Sequence, residues 1–198
     1  MADYQPKPYD PRLDDLKGFS EESVQAHYKL YEAYCNKYNE ASARLAEADK
    51  SKANQIFSDY RAAAADLTFA IGGIKNHEIY FGHLGGDGSP VDGAFSKQVE
   101  QDFGSWDDYI ADLTAAGMAA RGWAWTAWDT DFGTLMNVIG DAQNTFPVWN
   151  AFPVVALDVY EHSYVADFST ARPKYIEAFL ANMDWQAVED RFAAVRGR

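Results

Sequence analysis

The amino-acid sequence predicts an α+β fold, in which a long antiparallel helical hairpin is followed by a mixed lobe of strands and helices. No proline lies between Ser20 and Tyr80, and apolar residues recur there at steps of three and four. After residue 122 the pattern changes to β-rich runs bounded by turns. We expect residues 1–85 to form an N-terminal arm and the hairpin, and residues 86–198 to form the mixed lobe.

Composition and charge exclude several classes of protein. With 17 basic and 30 acidic residues, the net charge of −13 argues against nucleic acid or an anionic membrane as the main partner. No apolar run approaches the roughly 20 residues that span a bilayer, and the chain does not begin with a basic stretch followed by an apolar one. The single cysteine, Cys35, excludes an intramolecular disulfide and a cysteine-rich metal site. We expect a cytoplasmic protein.

The first helix of the hairpin is predicted to begin after Ser20, a favourable N-cap that Glu21 and Glu22 follow. Residues 1–19 carry three prolines and a glycine among charged residues, and we expect them to form an extended arm. The helix presents one apolar stripe, on which a histidine lies. This stripe consists of Val24, His27, Tyr28, Tyr31, Tyr34, Cys35 and Tyr38.

The second helix shows a more regular seam, with steps that alternate between four and three residues. The seam consists of Ile56, Tyr60, Ala63, Leu67, Ala70, Ile74, His77 and Phe81. In a helical hairpin, residues equally far from the turn lie level with each other. His27 and His77 are centred on residue 52, within a polar stretch, so we expect a turn there and both histidines facing inward.

A glycine-rich loop over residues 82–93 is the predicted boundary between the hairpin and the mixed lobe. The elements expected after it follow from caps, turns and β-rich runs. They are helices over about 92–102 and 105–119, a β-hairpin from Trp123 to Ile139 around a turn at 130–133, a buried strand over Pro153–Tyr160, and helices from near Pro173 and Asp184.

Asp158 is the anomaly of the third strand, because it interrupts an otherwise apolar run. A buried carboxylate requires a cation or several hydrogen-bond donors, and His162 follows it four residues later. Together with His27 and His77 these residues make a set of three imidazoles and one carboxylate, suited to iron, manganese or zinc. Each histidine could instead be a hydrogen-bonded core residue, and Asp158 could cap the strand end. His83 lies in the glycine-rich loop, and we expect it to be the one histidine that does not belong to this set.

Several motifs resemble the iron/manganese superoxide dismutases, over about residues 18–192. They are Asp-Val-Tyr-Glu-His-Ser-Tyr at 158–164, Ala-Arg-Pro-Lys-Tyr-Ile-Glu-Ala-Phe at 171–179, Asp184-Trp185, Asn-His-Glu-Ile-Tyr-Phe at 76–81, Phe-Gly-Ser-Trp at 103–106 and Gly-Trp-Ala-Trp at 122–125. The resemblance implies that His27, His77, Asp158 and His162 bind one Mn or Fe ion. It also implies a helical hairpin followed by an α/β lobe with a three-stranded antiparallel sheet.

The resemblance implies an activity as well: superoxide is converted to dioxygen and hydrogen peroxide as the ion cycles between its +3 and +2 states. Gln143 matches a glutamine that acts in the proton network of the manganese types, and Gly73 stands where iron types often carry their glutamine, which favours manganese. Trp123 and Trp125 match the aromatic wall of the pocket, or are simply core residues. Arg172 matches an arginine near the entrance, with an ordinary surface ion pair as the alternative.

The resemblance further implies a homodimer formed through Glu161 and His162, because the matching glutamate reaches the ligand histidine of the partner subunit. A tetramer remains open as an alternative assembly. No nucleic acid and no membrane is expected among the partners.

Departures from the family pattern concentrate at the substrate gateway. Tyr31 replaces a histidine, and Cys35 occupies the helical register of the gateway tyrosine, which Tyr34 could fill only after a local rotation of the helix. Tyr160 replaces a tryptophan, and Val165 replaces the tyrosine that bonds the gateway histidine across the dimer. The paired loss at 31 and 165 favours a dismutase with an altered substrate funnel and proton path. The alternative is a metal-binding protein of the same fold with weak or no dismutase activity.

Overall fold

The computed structural model describes residues 3–145 and 149–197. Their order confirms the α+β fold: two long helices come first, then two shorter helices, three strands and three C-terminal helices. The helices are α1 Glu21–Glu47, α2 Asp59–Gly82, α3 Ala94–Phe103, α4 Trp106–Ala119, α5 Val165–Phe168, α6 Arg172–Ala181 and α7 Trp185–Arg196. The strands are β1 Trp123–Asp129, β2 Thr134–Gly140 and β3 Ala151–Asp158, and short 3-10 helices cover Pro11–Asp15, Lys50–Lys52 and Glu161–Ser163.

The hairpin of α1 and α2 forms, and α1 begins at the predicted cap, whereas the cap of α2 is Ser58. The hydroxyl of Ser20 accepts a hydrogen bond from the amide of Ser23, and the hydroxyl of Ser58 accepts one from Arg61. The seam of α2 begins later than predicted, at the buried Ala63. Ile56 precedes α2 and is 72% exposed, and Tyr60 is 37% exposed. The prediction was wrong for these two residues because Ile56 lies in the connection that extends to Ser58, and Tyr60 lies in the first turn of α2, which is exposed.

The sheet has three antiparallel strands in the order β2-β1-β3. All residues of β1 are buried, because this middle strand is covered on both faces. Strand β3 begins at Ala151 and ends at Asp158, two residues earlier at each end than the sequence predicts. Pro153, which cannot donate to the ladder, lies on this edge strand beside an irregularity in the register between β3 and β1.

The hairpin and the mixed lobe pack directly against each other. His83, at the end of α2, accepts a hydrogen bond of 3.1 Å at its Nε2 from the amide of Ala156 on the free edge of β3. Leu84 pairs with Met183 as an isolated bridge between the two units. The end of β3 therefore lies against the two long helices. None of the described helices is long and apolar enough to cross a membrane.

Candidate metal centre

Four side chains from four different elements converge at the junction of the hairpin and the sheet. His27 comes from α1, His77 from α2, Asp158 from the last position of β3, and His162 from the 3-10 turn after it. Each side chain offers one nitrogen or oxygen atom as a ligand, and these four atoms all lie within 4.8 Å of one another. The set proposed from the sequence is thus gathered in space, across 135 residues of chain from His27 to His162.

The carboxylate of Asp158 is the centre of this group. Its Oδ1 accepts a hydrogen bond of 2.9 Å from the amide of Tyr160, which fixes the carboxylate plane. Its Oδ2 faces Nε2 of His162 at 3.1 Å, of His27 at 3.2 Å and of His77 at 3.6 Å. Burial raises the pKa of this carboxyl, but the hydrogen bonds from the two nearer histidines outweigh it and hold the pKa below its ordinary value.

His77 supplies the observation that tests whether a metal fits. Its Nδ1 donates a hydrogen bond of 2.6 Å to the carbonyl of Gly73, so Nε2 carries a lone pair. Among the described residues that Nε2 has no hydrogen-bond partner, and it is buried 3.6 Å from the carboxylate oxygen of Asp158. Two electron-rich atoms that face each other in a buried site need a cation between them.

The electrostatics of the histidines agree with this fit. Burial, followed by the neighbouring His27, lowers the pKa of His77 to about 3, and burial likewise lowers the pKa of His27. Neutral imidazoles are the form that binds a metal ion. Three imidazole nitrogens with one carboxylate oxygen suit iron, manganese or zinc. The side chain of His162 is 30% exposed, which makes it the solvent-facing member of the set.

Tyr34 and Gln143 lie beside this group. The indole of Trp123 donates a hydrogen bond of 2.9 Å to Oε1 of Gln143, and Nε2 of Gln143 donates one of 3.2 Å to the hydroxyl of Tyr34. The ring of Tyr34 lies 5.4 Å from the ring of His77. The ring of Tyr34 fits there because residue 73 is a glycine; an added Cβ at Gly73 would stand 2.6 Å from that ring. Of Tyr34 and Cys35, the two residues considered for the gateway, Tyr34 is therefore the one that lies at this place beside His77 and Gln143.

Cys35 points away from that place. Its side chain is fully buried, and burial raises the pKa of its thiol. The π-type irregularity considered for the one-residue offset does not occur, because Glu21–Glu47 is α-helical throughout. The rotation of a regular helix over seven residues is enough to bring Tyr34 to Gln143.

The other residues singled out from the sequence are placed around the junction. Arg172 is half-buried, and its guanidinium donates hydrogen bonds to the carbonyls of Ala120 at 2.8 Å and Val159 at 3.2 Å. Trp123 and Trp125 are fully buried and stacked, with ring centroids 6.3 Å apart. Glu161 is exposed next to His162.

Three contributors to the geometry were not predicted from the sequence. The side-chain amide of Asn76 donates to the carbonyl of Gln143 at 3.2 Å and accepts from the indole of Trp125 at 3.2 Å. The hydroxyl of Tyr175 donates to the carbonyl of Asp158 at 2.5 Å. His83, set aside as the spare histidine, binds the edge of β3. The sequence signals for Asn76 were its place in the motif at 76–81 and a polar side chain next to His77 on a largely apolar helix.

Two family models cover most of the chain. Residues 5–85 match the model described as iron/manganese superoxide dismutases, alpha-hairpin domain, and residues 91–191 match iron/manganese superoxide dismutases, C-terminal domain. A relative from Aquifex pyrophilus, superoxide dismutase [Fe], is 41% identical over 90% of this chain and 86% of its own length. One from Cupriavidus metallidurans, superoxide dismutase [Fe], is 34% identical over 96% and 97%. A third from Halobacterium salinarum, superoxide dismutase [Mn] 1, is 32% identical over 97% and 96%.

Proposed function

Because the chain belongs to the iron/manganese superoxide dismutase family, we propose that His27, His77, Asp158 and His162 hold one Fe or Mn ion and that superoxide reacts there. The chain is a metal-dependent superoxide dismutase. The observation that supports the assignment of residues is Nε2 of His77, which faces the carboxylate of Asp158 inside a buried group and has no hydrogen-bond partner in the described part of the chain.

When bound, the ion supplies the redox chemistry: alternating between +3 and +2, it oxidises one superoxide to dioxygen and reduces a second, which takes up two protons, to hydrogen peroxide. The chain keeps the ligands in place. The carbonyl of Gly73 fixes the tautomer and ring plane of His77, and the amide of Tyr160 holds Oδ1 of Asp158 so that Oδ2 is free to bind.

Gln143 and Tyr34 are the proposed proton-handling residues. An indole nitrogen can only donate, so Trp123 orients the amide of Gln143 with Oε1 toward the indole and Nε2 toward Tyr34. The hydroxyl of Tyr34 accepts from that Nε2, which leaves its own proton available for a group in the site. Reduction of superoxide to peroxide requires such a donor close to the centre.

Arg172 is proposed to act on the approach of the substrate. Its hydrogen bonds to Ala120 and Val159 fix the guanidinium next to the segment that carries Asp158 and His162. A fixed positive charge there supplies a local attraction for an anion on a chain whose net charge of −13 repels it.

The altered gateway is retained as part of the proposal. The hydroxyl of Tyr31 accepts from the amide of Lys7 at 2.8 Å and donates to Glu78 at 2.9 Å, so its hydrogen bonds are made within the chain. Val165 is exposed and has no polar atom in its side chain. We expect turnover at high superoxide and its pH dependence to differ from those of a dismutase with the histidine–tyrosine pair. Near-normal turnover with a normal pH profile would count against this.

A homodimer is proposed through Glu161 and His162, which lie next to each other on the exposed side of the centre. A two-fold contact there places each glutamate near the partner's histidine. The exposed Ile56 and Phe57 at the tip of the hairpin are the surface that a tetramer could use. Sedimentation velocity on the wild type and Glu161→Ala tests the dimer.

Two further expectations remain proposals. The division into residues 1–85 and 86–198 is supported by the direct packing of the hairpin on the sheet, with the metal centre between them. A cytoplasmic location is supported by the single free thiol, since a reducing compartment keeps it reduced. Fractionation of the source cells tests the location.

The function is tested by the rate of superoxide decay per bound metal ion, measured on protein loaded separately with Mn and with Fe. His162→Ala is the control, because it removes one ligand at the exposed side of the group. Rapid decay with one metal, lost in the control, is the expected result and identifies the metal. Stoichiometric binding without decay above that of the free ion would favour the alternative, a metal-binding protein of the same fold.

A further inference from the structure

The carboxylate of Glu78 gathers three groups from distant parts of the chain. Its Oε1 accepts hydrogen bonds from the hydroxyl of Tyr4 at 2.5 Å and from that of Tyr31 at 2.9 Å. Its Oε2 pairs with the ammonium of Lys7 at 3.0 Å. We call these residues, Tyr4, Lys7, Tyr31 and Glu78, the arm clasp, because two of them belong to the N-terminal arm.

The arm clasp joins the two helices that carry His27 and His77. Glu78 directly follows His77 on α2, and Tyr31 lies about one turn after His27 on α1. The amide of Lys7 donates to the hydroxyl of Tyr31, which closes the ring of contacts. The clasp therefore links α1 and α2 at the level of the metal centre.

A second set of hydrogen bonds fastens the arm to α1. The amide of Tyr4 donates to Oδ1 of Asn39 at 2.7 Å, and Nδ2 of Asn39 donates back to the carbonyl of Tyr4 at 3.0 Å. The ring of Tyr4 packs edge-on against Tyr38 at 6.0 Å. Tyr4 thus reaches Glu78 from a fixed position.

Burial decides which contacts of the arm clasp matter. The side chain of Glu78 is 15% exposed and Tyr31 is fully buried, so the hydrogen bonds of their hydroxyl and carboxylate are charge-assisted and shielded from water. Lys7 is 63% exposed, so its ion pair is screened by solvent and contributes little. The two tyrosine hydroxyls therefore carry the connection.

Phe81 connects the arm clasp to the ligands by packing. Its ring lies 5.0 Å from the ring of His27, 6.1 Å from that of His77 and 6.5 Å from that of Tyr31. A change in the spacing of α1 and α2 at the arm clasp would therefore be passed directly to both ligands, because packed interiors do not leave free space to absorb it.

We propose that Glu78 is a positioning residue for the metal centre: through Tyr4 and Tyr31 it holds the two helices, and hence His27 and His77, at the separation that retains the ion. This inference rests on the proposed metal ligands. Tyr31 stands where the family pattern has the gateway histidine. Its hydroxyl fastens the arm instead of bonding a tyrosine across a dimer. The N-terminal arm then governs how fast the ion is lost.

The test measures release of Mn from the loaded full-length protein into excess chelator, together with the electron paramagnetic resonance spectrum of the bound ion. Glu78→Leu removes the acceptor, and we expect release about 10-fold faster and an altered spectrum. Glu78→Gln keeps an acceptor oxygen for both tyrosines, and we expect release within about twofold of the wild type with the wild-type spectrum.

Tyr9→Phe is the matched control. Tyr9 also lies on the arm and donates to a carboxylate, that of Asp14 at 2.6 Å, but the bond stays within the arm. Its loss should leave metal release and the spectrum unchanged. If Glu78→Leu does not fold, the double variant Tyr4→Phe with Tyr31→Phe removes the same two donors and keeps both rings.

The outcomes separate this inference from the proposed function. If the wild type binds Mn and all variants release it at the same rate, or if Tyr9→Phe speeds release as much as the loss of the clasp does, the positioning role is wrong and the metal centre stands. If Glu78→Gln behaves like Glu78→Leu, the hydrogen bonds do not carry the effect and the inference is overturned. If the wild type holds no ion at all, the proposed function fails first.

Discussion

Nε2 of Gln143 donates a hydrogen bond of 3.2 Å to the hydroxyl of Tyr34, although 109 residues separate the two in the chain. The contact joins the loop after β2 to the middle of α1, beside His77. It exists because Gly73 leaves room for the tyrosine ring and because Trp123 orients the amide. The proposed proton path depends on it.

Removal of the Gln143 amide is the first prediction. Gln143→Leu keeps most of the volume but loses the donor that orients the hydroxyl of Tyr34, and we expect a fall of about 100-fold in catalytic rate per bound metal. Stopped-flow superoxide decay measures it. Gln101→Leu, at an exposed position of α3, is the control and should keep the wild-type rate. Equal rates in both variants would remove Gln143 from the mechanism.

Asn76 is predicted to matter for both stability and rate. Asn76→Leu removes the acceptor of the Trp125 indole and the donor to the carbonyl of Gln143 in a buried region. We expect a loss of about 1–3 kcal/mol in the free energy of unfolding, together with a slower rate because the Gln143 loop is released. Urea denaturation and superoxide decay on the same samples check this. A stable variant with an unchanged rate would contradict it.

Two glycines of α2, Gly72 and Gly82, are predicted to respond in opposite ways to substitution by alanine. A Cβ at Gly72 would stand 1.9 Å from the carbonyl oxygen of Gln143, so Gly72→Ala must displace the loop and cost about 1–3 kcal/mol of stability. Gly82→Ala, at the end of the same helix, places its Cβ more than 4 Å from any neighbouring atom of the described residues and should stabilise the fold by about 0.5–1 kcal/mol. Thermal unfolding distinguishes them, and stabilisation by both would show that helix propensity, not the close approach, decides.

His83 predicts a pH dependence of stability away from the metal centre. Burial, and then the charge of Arg191, lower its pKa to about 3 from the usual value near 6.5. Between these pH values His83 is therefore protonated in the unfolded chain and neutral in the folded chain. The free energy of unfolding falls as the pH drops from about 6.5 toward 3. His83→Gln keeps an acceptor for the amide of Ala156, and should give a shallower loss between pH 6.5 and 4 in urea titrations. Parallel curves for the two proteins would refute this.

Much of the fold could be predicted from the sequence because its signals are local. The caps at Ser20 and Ser105 and the change to β-rich runs gave the right elements. The prediction failed at Ile56 and Tyr60, where an apolar spacing continues into the connection between the helices but no partner helix covers it. The beginning of β3 was also wrong, since strand pairing and not Pro153 sets it.

Part of the candidate site could also be predicted from the sequence, and part could not. The two histidines of the hairpin and the buried carboxylate could be found from spacing and from one acidic residue in an apolar strand. Whether Tyr34 or Cys35 faces the centre depends on the rotation of α1 against α2, which a stripe containing both residues does not determine. The arm clasp could not be predicted at all, because it joins Tyr4 to Glu78 across 74 residues through side-chain hydroxyls.

One redox metal ion is proposed to bind to four particular atoms of this chain. The most direct measurement is anomalous X-ray diffraction from crystals of the metal-loaded protein, recorded on both sides of the Mn and Fe absorption edges. We expect a single anomalous peak per chain, within bonding distance of Nε2 of His27, His77 and His162 and of Oδ2 of Asp158. A peak at other residues, or none in protein that dismutates superoxide, would contradict it.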